Sequence, residues 1–148
     1  MSYTILEELA ASQQLVSTMI RISAEDTSAR VGAWSLRDIA AHLAASETES
    51  FEPRIRAIAA GERPVMEFYS NDERDFSGIH LEEALNEWAE TRTRLLDYVR
   101  GLSDEERART GTHERYGDIS VDRYLEIALE HDREHLLGLE HVAGELAR

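Results

Sequence analysis

The chain of 148 residues suits one domain, spanning residues 1–148, built on one core. Its 30 acidic and 16 basic residues give a formal net charge of −14, which disfavours nucleic acid and anionic membrane surfaces as partners. There is no cysteine and no lysine, so disulfides, thiolate metal sites, a cysteine nucleophile and a Schiff-base lysine are excluded.

Hydrophobic residues make up 42% of the chain, enough for a sizeable core. No apolar run approaches the roughly 18 residues of a membrane span. The opening MSYTILEELAASQQ has two acidic residues and no basic region before them, so it does not read as a signal peptide, and the cytoplasm is the expected location.

Four segments carry the 3.6-residue periodicity of amphipathic helices, and strand-like alternation is missing throughout. The first helix is expected over residues 5–20, with Leu6, Leu9, Val16, Met19 and Ile20 on one face. A loop over 21–33 follows. The second helix is expected over 36–60, with Ser35 as N-cap, Asp38 at the capping-box position, and Trp34 and Ile39 as a hydrophobic staple. Pro53 falls inside it and should bend or interrupt it, and Gly61 stops it. Residues 62–79 form a long polar loop, of a length that is often functional. The third helix spans 81–101 with the stripe Leu81, Leu85, Trp88, Arg92, Leu95, Val99 and Leu102. Ser103 caps a short turn over 104–107, and the fourth helix runs from Ser120, its N-cap, to about residue 146. Four such helices imply an all-α, antiparallel four-helix bundle with a long crossover loop.

The fourth helix holds the most specific signal. At about 100° per residue, with Ala128 at zero, His131 falls near about −60° and His135 near about −20°, both on the core-facing stripe. Two histidines one turn apart on one face is a spacing that serves one metal ion. Two buried imidazoles each need partners, and a shared metal supplies one to both. His42, one turn after Ile39 beside the apolar face of the second helix, is the best third ligand. His80, His113 and His141 are weaker candidates. The string from His131 to His135 also matches the H-x-x-E-H motif of inverted zinc proteases. That match is accidental, since only 13 residues follow it and those enzymes draw a carboxylate ligand from far downstream. Arg92, on a core stripe at mid-helix, is expected to face the same cavity and bind an anionic group. Glu47 lies about 140° from His42 and is better placed to partner an arginine between helices.

Three stretches together resemble one family. W-S-L-R-D-I-A-A-H-L-A-A-S-E at 34–47, R-x-x-L-L-D-Y-V-R-G-L-S at 92–103 and I-A-L-E-H-D-R-E-H-L at 127–136 are similar, in order and spacing, to the second, third and fourth helices of the DinB-like (DinB/YfiT) proteins. Ala45, where an aspartate is common, and Pro53 depart from that pattern. The resemblance implies a four-helix bundle, commonly a homodimer, with a divalent metal on His42, His131 and His135. It also implies chemistry, since known members include thiol-dependent S-transferases and mycothiol-dependent isomerases.

The expected function is therefore that of a divalent-metal protein that activates a low-molecular-weight thiol as an S-transferase. A metal-dependent hydrolase and a non-catalytic metal- or ligand-binding stress protein are the alternatives. Three imidazoles suit zinc or nickel best, with iron, cobalt or manganese as further choices. In the transferase reading Arg92 steadies an anionic group of the thiol or its acceptor, and Phe68 and Tyr69 of the long loop cover the pocket.

Overall fold

The structure, a computed structural model, describes residues 4–26 and 28–146. The four expected helices are present: α1 (Thr4–Ser23), a second rod made of α2 (Leu36–Ser46) and α3 (Glu52–Ala59), α4 (Leu81–Arg100) and α6 (Val121–Leu146), with the short α5 (Asp104–Ala108) after α4. α1 packs against α6 and α4, and α2 packs against α4. No helix among the described residues is long and apolar enough to cross a membrane.

Local sequence explains the helix ends. At Ser35 the side chain accepts from Asp38 N–H while the Asp38 carboxylate accepts from Ser35 N–H, a complete capping box. Ser103 and Glu106 repeat that box at α5, and Ser120 Oγ accepts from Arg123 N–H at the start of α6. Gly61 ends α3 with a positive φ of 83°, a conformation that costs other residues more.

The second rod is interrupted as Pro53 requires. Between α2 and α3 lies a π-helical turn, Glu47–Phe51, after which Glu52 N–H bonds to Glu47 O. Pro53 then sits at the start of α3, where the amide it lacks is not needed.

The expectation of no strands is corrected. β1 (Arg30–Val31) and β2 (Trp34–Ser35) form an antiparallel hairpin, and β3 (Val65–Met66), β4 (Thr110–His113) and β5 (Gly117–Ser120) form a small sheet with β3 parallel to β4. Strands of two to four residues are too short to show a two-residue period. Gly111 is required here: a Cβ on it would stand 2.9 Å from Pro64 O.

Two apolar clusters fill the bundle. One gathers Leu6, Leu9, Ile55, Leu95, Val99 and Leu125, the other Val16, Ile20, Leu43, Trp88, Leu139 and Val142. A polar layer of half-buried Ser12 with buried Glu47, Arg92 and Asp132 lies between them along α1, the second rod, α4 and α6.

Candidate metal centre

α2 delivers His42 and α6 delivers His131 and His135 to one point. His42 Nε2 lies 3.2 Å from His135 Nε2, and His135 Nε2 lies 3.3 Å from His131 Nε2. All three donor atoms fall within 4.8 Å of one another. Nitrogens held at about 2.0–2.1 Å by one tetrahedral ion stand about 3.3 Å apart, so the spacing fits a shared cation.

The hydrogen inventory supports the same fit. Asn71 Oδ1 lies 2.5 Å from His42 Nδ1 and accepts its N–H, so a neutral His42 turns a bare Nε2 lone pair toward the other rings. A neutral His135 has one hydrogen at most and cannot serve both neighbours. A cation among the three nitrogens removes that conflict. Burial, and then the neighbouring rings, push His131 down to about 4 and His135 down to about 3, and burial also lowers His42 against the opposing pull of Asn71 and Asp72. The rings are therefore neutral lone-pair donors at pH 7.

Asn71 is the main residue that sequence reasoning missed. It is 4% exposed, and its Nδ2 donates to Tyr69 OH at 2.9 Å and Ser46 Oγ at 3.3 Å. Tyr69 OH in turn donates to Glu49, which also accepts two bonds from Arg74. The crossover between α3 and α4 is thus pinned to the second rod beside His42. Only a buried asparagine in a long polar segment could have hinted at this, and burial in an aperiodic segment has no pattern.

Arg92 does not line the pocket at the histidines. It is 3% exposed, and its donors go to Glu47 Oε1 and Oε2, Asp132 Oδ1 and Oδ2, and Leu9 O at 2.8–3.2 Å. Burial opposes its charge, but Glu47 and Asp132 outweigh that and raise its pKa. The anions it binds belong to the protein, which corrects the expectation that it faces the cavity and holds an anionic group of a ligand. The periodicity placed Arg92 on the core stripe and could not show that two carboxylates were already there. Glu47 is its partner, as its place on the wheel suggested, and also accepts from Trp88 Nε1.

The histidines open into a pocket of about 380 Å³. Trp34, Phe68 and Tyr69 form walls, so the crossover does border the site as expected. Ser46, Ser50, Phe51 and Arg54 line it from the second rod. In an unbroken helix Arg54 would lie about 120° from His42; the extra residue of the π turn sets it back by about 100°, onto the His42 face. His113 of β4 is buried and lines the pocket but stands outside the three-histidine cluster. His80 precedes α4 and is exposed, and His141 is exposed and pairs with Glu145. Glu134, the acid of the H-x-x-E-H string, is an exposed residue at the pocket edge.

Fold and site together define a helical bundle that presents three neutral imidazoles to one point beneath an open pocket. The chain belongs to the DinB superfamily, whose profile matches residues 6–138. It is 30% identical over 129 residues, covering 82% of this chain and 73% of the other, to a protein of Oceanobacillus iheyensis named "Putative metal-dependent hydrolase". The fold is similar to that of YfiT from Bacillus subtilis, with a TM-score of 0.74 and 19% identity over 99% of this chain and 90% of that one. YfiT is described as a probable metal-dependent hydrolase with an unusual four-helix bundle topology.

Proposed function

We propose that this protein is a metal-dependent enzyme acting on a small molecule, in the first instance a hydrolase, with one divalent cation held by His42, His131 and His135. The convergence of the three Nε2 atoms, with His42 Nδ1 tied to Asn71, carries the reading. Held there, the cation supplies Lewis acidity that lowers the pKa of a water or thiol in an open position.

The chain's own residues prepare that chemistry. Burial keeps the three rings free of protons that would compete for their lone pairs. Behind them, Glu47, Arg92 and Asp132 sum to −1 − 1 + 1 = −1, a buried charge that favours a cation nearby. Trp34, Phe51 and Ile127 give the pocket apolar walls that limit water at the site. Zinc or nickel suits three imidazoles best. A thiol can take the place of water, and the absence of cysteine means that it would come from outside the chain.

The test begins with metal analysis of untagged protein. One equivalent of metal, lost in His135→Ala, is the expected result. Loaded protein is then assayed with ester and amide panels, and with monochlorobimane plus glutathione, cysteine, mycothiol, bacillithiol or coenzyme A. Metal-dependent turnover with water supports the hydrolase, and turnover with one thiol transfers the assignment to an S-transferase. Failure to bind zinc, nickel, iron, cobalt or manganese stoichiometrically would overturn the proposal.

A further inference from the structure

The far end of the same pocket holds donors that the histidine centre does not use. Arg54 is half-buried and is the single arginine among the pocket-lining residues. No carboxylate pairs with it among the described residues; its Nη1 donates to Tyr124 OH at 3.2 Å. The Tyr124 phenol, 3% exposed, accepts there, so its own O–H remains to be given, and no acceptor for it occurs among the described residues. His113 is buried and its Nδ1 accepts from Arg115 N–H at 2.9 Å, which places the hydrogen of the neutral ring on Nε2. Burial, and then the charge of Arg54, keep that ring neutral. The cluster therefore offers N–H and O–H donors and no unengaged acceptor, in a chain whose net charge is −14.

The two ends are joined by apolar surface. Tyr124 and His131 lie two turns apart on α6, about 10 Å along its axis. The Phe51 ring sits between them, 5.7 Å from the ring centroids of both. The acidic lining residues belong elsewhere: Asp72 stands 4.0 Å from His42, and Glu130 is engaged by Arg123. Glu134 is ten residues from Tyr124 along α6, about 15 Å away.

We infer that Arg54, Tyr124 and His113 form a substrate-recognition subsite for an oxyanion, a carboxylate or phosphate, on a small molecule whose apolar linker runs past Phe51 to the histidines. This deepens the proposed function and rests on it for the second pole. The anion-holding role that sequence reasoning gave to Arg92 falls to Arg54, which faces the pocket with donors to spare. The site selects substrates that carry a charge at one end and the reacting group at the other.

The experiment uses cobalt-loaded protein and a bifunctional probe, 6-mercaptohexanoate, beside its neutral carboxamide. The thiolate-to-cobalt absorption band reads binding without turnover. The carboxylate should bind at least about tenfold more tightly than the amide. Arg54→Met and Tyr124→Phe should remove that preference while leaving amide binding and the ligand-free cobalt spectrum unchanged. A second arm needs no metal: labelled apoprotein is titrated with hexanoate or hexanamide, and the Arg54 Nε–H resonance is followed by NMR. Saturable shifts with hexanoate only, absent in Tyr124→Phe, support the subsite. Equal response to acid and amide in both arms, or a preference that survives Arg54→Met, overturns it. If cobalt does not bind, the apoprotein titration alone decides the subsite, and the metal proposal stands or falls on the zinc, nickel, iron and manganese titrations.

Discussion

Replacing Asn71 tests whether the histidine centre is a designed ligand set or a chance cluster. Asn71→Leu keeps the branched shape, with somewhat more bulk, and removes the acceptor for His42 Nδ1–H. A ligand's outer partner is worth about 10–100-fold in metal affinity, or about 1.4–2.7 kcal/mol. The change also strips the amide donor from Tyr69 OH and Ser46 Oγ and leaves buried polar groups unmatched. That adds about 1–3 kcal/mol of destabilisation to the apoprotein. Asn71→Asp retains the acceptor and should bind metal within a few-fold of the parent. The assay is competition for zinc or cobalt against a chromophoric chelator at pH 7, with urea unfolding of the apoprotein in parallel. Asn71→Leu protein that binds metal within twofold of the parent would refute the claim that this hydrogen bond orients His42.

His42→Ala, His131→Ala and His135→Ala should each abolish stoichiometric metal binding, whereas His141→Ala should not; unchanged affinity in His135→Ala counts against the site. Chelation should leave the helical circular dichroism signal in place, because the apolar clusters do not depend on metal; loss of most of that signal contradicts this. The lowered pKa values of His131 and His135 mean that the unfolded chain binds protons first as pH falls. Apoprotein stability should therefore be full above about pH 6.5 and decline toward pH 4, by at most about 1.4 kcal/mol per pH unit per ring. A His131→Asn/His135→Asn double variant with an undiminished slope would rule out these rings as the source. Arg92→Met leaves Glu47 and Asp132 buried without their cation and should cost about 3–5 kcal/mol in chemical unfolding, and a loss below about 1 kcal/mol would sink the buried-pair argument. We propose a homodimer in solution; light scattering at micromolar concentration that returns the 16.8 kDa monomer would exclude it.

Periodicity carried most of what could be read in advance. The α6 stripe put His131 and His135 on the core face, and the Ser35 capping box fixed the start of the helix that carries His42. What escaped was whatever lacks a period. The two-residue strands had no room to alternate, and Asn71 lies in the aperiodic crossover. Pro53 signalled an interruption, but not that the chain would absorb it with one extra residue in a turn, and that residue decides that Arg54 joins the His42 face. Arg92 was placed correctly on its helix and misjudged in its company, because its two partners come from other helices, 45 and 40 positions away.

The polar layer has a consequence for alignment as well as for charge. Apolar faces pack almost as well after a slide of one turn, since leucine meets leucine again; ion pairs do not. If α6 slipped by one turn, about 5.4 Å, Asp132 would leave Arg92 and Ser12, and His131 and His135 would pass His42 by the same distance. Ser12, Glu47, Arg92 and Asp132 come one from each rod of the bundle, so they act as a dowel through all four. Their registration, not their net strength, sets the height at which the two histidines of α6 meet the one from α2.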